Sequence, residues 1–283
     1  MSDFLEQVVT ERRADVARAR ARGQRIDVAA RRRDGVRLVA REDFRPDLAS
    51  GSDDAFSLTL RSRRELGHLA VIAEVKRVSP ALGVLRGDVD PVTQARAYEA
   101  AGASAISVLT EPRHWGGSID DLVAVADAVQ VPVLCKDIVV DTYQIDEAYA
   151  AGADAILLIA EALDDGTLRQ LIAHARTIGL GVLVEAHELP AFGRAVSSGA
   201  KVVGVNARNL RRPEEIDVGR VRQVHTFVHS DHILVAESGI ASVDDARLLP
   251  SRVDAVLIGT ALMRAEDPAP LIHGIASIRR VHA

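Results

Sequence analysis

The sequence predicts an α/β fold, a closed (β/α)8 barrel, and three observations carry that prediction. After about residue 65, eight short apolar runs rich in Val, Ile and Leu recur, each followed by turn residues and a helix-period segment. This is the pattern of β-α units around a parallel sheet. Four runs are announced alike, by AGAS at 101, AGAD at 151, SGAK at 198 and SRVD at 251, a period of roughly 50 residues or two β-α units. Eight runs with that internal period suit a closed barrel better than an open doubly wound sheet, and no G-x-G-x-x-G loop follows the first run to suggest a dinucleotide site.

In chain order, residues 1–65 read as an N-terminal helical extension, with an Arg/Glu/Asp-rich amphipathic opening and a looser stretch around FRPDLASGSDD. Residues 66–283 read as the barrel, the whole forming a single domain. Its strands are expected in LAVIAEVK (69–76), ASAISVLT (103–110), VPVLCKD (131–137) and ADAILLIA (153–160), then GVLVEAH (181–187), KVVGVNA (201–207), HILVAES (232–238) and VDAVLIGT (253–260).

Composition removes several function classes. A chain of 283 residues that is 48% hydrophobic can bury a full core. No uninterrupted apolar run of about 18 residues suggests a membrane span, and MSDFLEQ lacks the apolar centre of a secretory signal, so a cytoplasmic location is expected. The single cysteine, Cys135, excludes an intramolecular disulfide or a cysteine metal cluster. His225 and His229 stand four apart, but HTFVH lacks the glutamate of a zinc-protease helix, so no metal is expected. A net charge of −5 and few aromatic residues give no basis for nucleic-acid binding.

Of the 35 basic residues only three are lysine, Lys76, Lys136 and Lys201. Arginine stays protonated at any accessible pH, whereas a partly buried lysine can release its proton and serve as a general acid or base. Lys76 and Lys136 fall at strand ends. In barrels of this kind the reactive groups gather at the carboxyl ends of the strands. Those ends carry Glu74 and Lys76, Glu111, Lys136 and Asp137, Glu185, Asn206 and Arg208, and Glu237 with Ser238. Glu74 and Lys76, two apart, share a strand face with Ile72, so the pair points into the barrel. Small residues at the last two turns, Ser238–Gly239 and Gly259–Thr260, allow backbone N–H groups to approach an anion, the usual phosphate position in such barrels. With Lys76 and Ser79 across the mouth, a phosphorylated small molecule is the expected substrate class.

The strings IAEVKRVSP, TEPRHWGGS, CKD with DTYQI, LVEAH, VGVNARNL, AESGI and IGTALMRAEDP together resemble the indole-3-glycerol phosphate synthase family in content, order and spacing, over essentially the whole chain. The resemblance implies that the N-terminal helices lie over the barrel mouth. It also implies a reaction in tryptophan biosynthesis: 1-(2-carboxyphenylamino)-1-deoxyribulose 5-phosphate closes to indole-3-glycerol phosphate with loss of carbon dioxide and water, without metal or organic cofactor. By the same resemblance Lys136 is the general acid, Glu185 assists dehydration, and Lys76 contacts the phosphate or carboxylate while Glu74 holds it. Asn206 and Ser238 orient substrate with support from Glu237. Arg208 meets the anthranilate carboxylate, Ser79, Gly239, Gly259 and Thr260 form the phosphate site, and Trp115 with Leu157 receives the aromatic ring. Association with neighbouring enzymes of that pathway is the macromolecular partnership it allows.

The chain departs from the family pattern at Ile138 and Trp115, where phenylalanine is common, at Ala81 for serine, and at Thr142 for proline. No ionisable position is lost; the changes touch the aromatic pocket, where the larger Trp115 is expected to offset Ile138. The connection NLRRPEEIDVG is slightly longer than usual. Two other functions fit a barrel with rim lysines: a Schiff-base aldolase, in which a lysine attacks a carbonyl directly, and a non-catalytic paralogue that binds ligand or a partner enzyme.

Overall fold

Eight parallel strands close on themselves in the computed structural model, which describes residues 3–22 and 54–280. They are β1 (Ala70–Val75), β2 (Ala105–Leu109), β3 (Val133–Lys136), β4 (Ala155–Ile159), β5 (Gly181–Ala186), β6 (Val202–Asn206), β7 (Ile233–Glu237) and β8 (Ala255–Ile258), one from each apolar run. β1 pairs with β8 through Ala70↔Ala255 and Ile72↔Leu257, which closes the barrel. The stretch FRPDLASGSDD lies outside the described residues except for Asp54. Among the described residues no helix is long and apolar enough to cross a membrane.

The runs lack polar alternation because both strand faces are covered. Val71, Ile106, Ile156, Val184 and Leu234 pack outward against the ring of helices. Ile72, Leu134, Leu157, Leu183, Val235 and Leu257 fill the bore. Side chains alternate across a strand, so the inward set continues upward to the charged residues of the rim.

The four-residue repeat has a local cause. Gly102, Gly152 and Gly199 adopt left-handed φ values of 97°, 104° and 87°, which end the preceding helix at little steric cost. In three of the four signatures the last residue then clasps the preceding strand. Asp154 Oδ2 accepts from Val133 N at 2.9 Å, Asp254 Oδ2 from Leu234 N at 2.8 Å, and Ser104 Oγ from Val71 N at 3.4 Å. The Lys201 side chain has no acceptor to offer the preceding strand, and its carbonyl accepts from Ile233 N of the following strand at 2.9 Å.

The extension divides between the two ends of the barrel. α1 (Phe4–Ala21) lies over the mouth, where Leu5, Val8 and Val9 join the bore cluster. α2 (Ala55–Glu65) instead closes the opposite end, inserting Phe56 and Leu60 among Ala70, Ala155 and Val202. Its N-cap Asp54 accepts from Ser57 N at 2.8 Å and packs on Gly181, where a Cβ would collide with the Asp54 carboxylate. Among the described residues of the extension, α1 is the helix that covers the mouth.

Candidate active site

β1 delivers Glu74 and the connection after it Lys76, on the same inward face as Ile72. Lys76 Nζ is 2.6 Å from Glu74 Oε1. β8 leaves room for the pair, because a Cβ on Gly259 would collide with Glu74 Oε1 and come within 3.1 Å of Lys76 Nζ. Burial by itself would raise the Glu74 carboxyl, but Lys76 and Lys136 hold it below the usual glutamate value.

Lys136, the last residue of β3, is surrounded by carboxylates. Its Nζ is 3.0 Å from Glu237 Oε2, 3.2 Å from Glu185 Oε2 and 3.8 Å from Glu74 Oε2. Burial would depress this ammonium, yet Glu185, Glu237 and Glu74 together hold it well above the ordinary lysine range. The release of a proton by burial, expected from the sequence, is opposed in the free enzyme, where the three carboxylates favour the charged form of Lys136. Glu237 is shifted upward as well, because burial and the neighbouring Glu185 push its carboxyl well above the usual value against the pull of Lys136. A Cβ on Gly204 would collide with Glu237 Oε1, so β6 must be bare at this point.

β6 orients the second carboxylate: Asn206 Nδ2 donates to Glu185 Oε1 at 2.7 Å. Asn206 Oδ1 accepts from Arg208 N at 2.9 Å, and the Arg208 guanidinium is tied to the carbonyl of Pro213 in its own loop. A bridge between Arg208 and Ile216 folds the longer NLRRPEEIDVG connection back on itself beside the mouth.

These groups face a cavity of about 350 Å³ at the carboxyl ends of the strands. All fourteen residues expected at the site line it: Glu74, Lys76, Ser79, Trp115, Lys136, Leu157, Glu185, Asn206, Arg208, Glu237, Ser238, Gly239, Gly259 and Thr260. Ser238 and Gly239 both adopt left-handed conformations, φ 65° and 75°. For serine this is unusual, and held strain of that kind clusters at ligand sites. Gly239 also has a packing role, since a Cβ there would lie 2.6 Å from Val218 Cγ1.

Sequence reasoning missed the contribution of α1. Phe4 lines the cavity, its ring 5.7 Å from Trp115 and 5.1 Å from His114. Trp115 is held by Glu111, whose carboxylate accepts from the backbone N–H groups of Arg113, His114 and Trp115 at 3.1, 2.6 and 3.2 Å. Glu111, also at the rim, thus organises a loop. α1 is pinned over this loop by a bidentate pair between Asp15 and Arg113, both contacts 2.6 Å, and by His114 Nε2 with Glu11 Oε2 at 2.8 Å. Further pairs join Arg12 to Asp137 at 2.8 Å and Arg20 to Asp141 at 2.7 Å. Asp141 also caps α3 (Thr142–Ala150) by accepting from Tyr143 N at 2.8 Å, so Thr142 fills the first helical position without loss of the cap. Ile138 lines the cavity next to Lys136.

The chain has relatives over most of its length. The chain is 50% identical over 212 residues to the indole-3-glycerol phosphate synthase of a Nocardioides species, covering 74% of this chain and 80% of that protein. It is 39% identical over 269 residues to the enzyme of the same name from Albidiferax ferrireducens, 95% of this chain and 96% of that one. Among solved structures, the tryptophan synthase α subunit of Legionella pneumophila superposes with a TM-score of 0.58 at 14% identity, over 80% of this chain and 98% of that one. The 3-hexulose-6-phosphate synthase of Salmonella typhimurium gives 0.57 at 20%, over 74% and 97%. These two share the barrel fold. The family model for indole-3-glycerol phosphate synthase matches residues 5–275, from the helix over the mouth through all eight strands, and the chain belongs to that family.

Proposed function

We propose that this chain closes 1-(2-carboxyphenylamino)-1-deoxyribulose 5-phosphate to indole-3-glycerol phosphate, with Lys136 as the acid for ring closure. The observation that carries the reading is the placement of Lys136 Nζ within 3.0, 3.2 and 3.8 Å of three buried carboxylates, beside an apolar wall. A cation held in this way is ready to protonate an oxygen as negative charge develops on it.

The ring carbon that bears the carboxylate attacks the ketone carbon, and the carbonyl oxygen takes a proton from Lys136. The carbon–carboxylate bond then breaks, its electron pair restoring the aromatic ring as carbon dioxide leaves. The new hydroxyl departs as water with the nitrogen lone pair assisting, and loss of a proton from the adjoining methylene completes the indole. Glu185, oriented by Asn206, assists this dehydration. Lys76, fixed by Glu74, meets a negative group of the substrate, as does Arg208. Ser79, Ser238, Gly239, Gly259 and Thr260 receive the phosphate, and Trp115, Leu157 and Phe4 enclose the anthranilate ring. A small-molecule reaction of this kind suits a cytoplasmic enzyme.

A Schiff base would need a neutral amine, and the three carboxylates hold Lys136 in the opposite state. Purified protein given the carboxyphenylamino sugar phosphate should develop indole fluorescence. Borohydride treatment in the presence of a phosphorylated ketose should leave Lys136 and Lys76 unmodified; covalent trapping on either, or no indole, would reject the reading.

A further inference from the structure

The pairs that fasten α1 over the mouth are not equivalent. Those of Arg20 with Asp141, Arg113 with Asp15 and Arg211 with the α1 cap Asp3 have substantially exposed arginines, whereas Asp137 is buried and Arg12 largely so, with side chains 5% and 11% exposed. Asp137 directly follows Lys136 and precedes Ile138, and both neighbours line the cavity. Its carboxylate is fully used: Oδ2 accepts from Arg12 Nη2 and Thr110 Oγ1, each at 2.8 Å, and Oδ1 from Ile138 N at 2.7 Å. The residue after the acid is thus gripped by β2's end, by its own following amide and by a helix more than a hundred positions away. Asp15, 3.3 Å from Arg12 Nη1, holds the guanidinium from behind.

We propose that Arg12 is a positioning residue for ring closure: its ion pair with Asp137 fixes the end of β3 and thereby the Lys136 ammonium among its carboxylates. This rests on the reading of Lys136 as the acid. A helix that served only as a cover could be fastened by its exposed pairs. A largely buried guanidinium against the residue next to the acid ties docking of the cover to the geometry of the reacting group. Besides Arg12, the charged and titratable groups around Asp137 are Glu111 from the β2 loop, Glu147 of α3 and Cys135. Both glutamates oppose the Asp137 charge, so Arg12 is the cation that offsets burial there.

Steady-state kinetics across pH on wild type, Arg12→Ala, Arg12→Lys, Asp137→Asn and the R12A/D137N double variant test this. Arg12→Ala should lower kcat about 10- to 100-fold, the cost of a small displacement of a reacting group. Its inhibition constant for inorganic phosphate should change less than about threefold. Its kcat should also gain an ionisation, falling as pH rises through it, because the Asp137 carboxylate would then lie beside Glu111 and Glu147 without a cation. D137N in the same background should remove that ionisation, and Arg12→Lys should regain a large part of kcat. A purely structural Arg12 would lower the melting temperature and leave the kcat profile of the folded fraction unchanged, which would overturn the proposal. Should Arg12→Ala fail to fold, Arg12→Lys and Asp137→Asn still decide it, since wild-type kcat in both would also overturn it. A wild-type chain that forms no indole rejects the functional reading itself, an outcome distinct from normal turnover in the variants.

Discussion

Lys136 Nζ lies 3.0 Å from Glu237 Oε2, while Oε1 of the same carboxylate is buried without a hydrogen-bond partner among the described residues. Glu237 therefore serves Lys136 with one oxygen and turns the other toward the bare Gly204 of β6.

Replacing that carboxylate by its neutral isostere removes one of the charges that raise Lys136. In Glu237→Gln the ammonium should lose its proton at a lower pH than in wild type. The sign follows from the raised value: protonation of Lys136 favours the fold fully below the unfolded lysine pKa, and this is lost as pH rises through the folded one. The alkaline limb of kcat against pH should move down, and alkaline unfolding should begin earlier. An unmoved limb would show that Lys136 is not the group titrating there.

Lys136→Ala should abolish indole formation while the inhibition constant for inorganic phosphate stays within about threefold of wild type, since the proposed phosphate residues are on other strands. Retained turnover would assign the acid to another residue, with Lys76 the first candidate.

Gly259→Ala and Gly204→Ala place a methyl group against Glu74 Oε1 and Glu237 Oε1 respectively. Both atoms end flexible side chains, but both side chains are buried and hold a lysine, so moving them disturbs the site. Overpacking of this kind costs about 1–3 kcal/mol. Each variant should lose more in kcat than in thermal stability, measured by turnover and melting on the same preparation.

Phe4→Ala removes a ring from the cavity wall. Aromatic pairs contribute about 0.5–1.5 kcal/mol beyond burial, so KM for the anthranilate-bearing substrate should rise roughly 2- to 10-fold with a smaller change in kcat. An unchanged KM would mean that the ring closes the mouth without touching substrate.

Asp15 is held at a pKa of about 2, chiefly by its hydrogen bonds from Arg113, with Arg18 and Arg12 adding to the shift and burial opposing it. The stability this contributes is present above the unfolded aspartate pKa and fades as pH falls towards 2. Acid melting curves between about pH 4 and pH 2 should therefore show a steeper loss in wild type than in Asp15→Asn; parallel curves would show that the α1 clamp is not the acid-labile element.

The barrel was legible because a strand covered on both faces leaves an uninterrupted apolar run, and the site was legible because Glu74, Lys136, Glu185 and Glu237 interrupt those runs at the same end. What the sequence hid depends on contacts between distant segments. Phe4 and Arg12 stand in a helix crowded with arginines, and nothing local to them signals Trp115 or Asp137. Gly204 reads as an ordinary strand glycine until β7 brings Glu237 against it. The floor role of Phe56 and Leu60 was equally silent, because an amphipathic helix does not say which end of a barrel it closes.

The clasps at Ser104, Asp154 and Asp254 bear on how the barrel comes apart. Side-chain acceptors bind β2 to β1, β4 to β3 and β8 to β7, whereas the lysine at the start of β6, Lys201, can offer no such acceptor to β5. Native-state hydrogen exchange should then find the slowest amides at Val133 and Leu234 and earlier opening along β6, so that the first strand to breathe is the one that carries Asn206 and the bare glycine beneath Glu237.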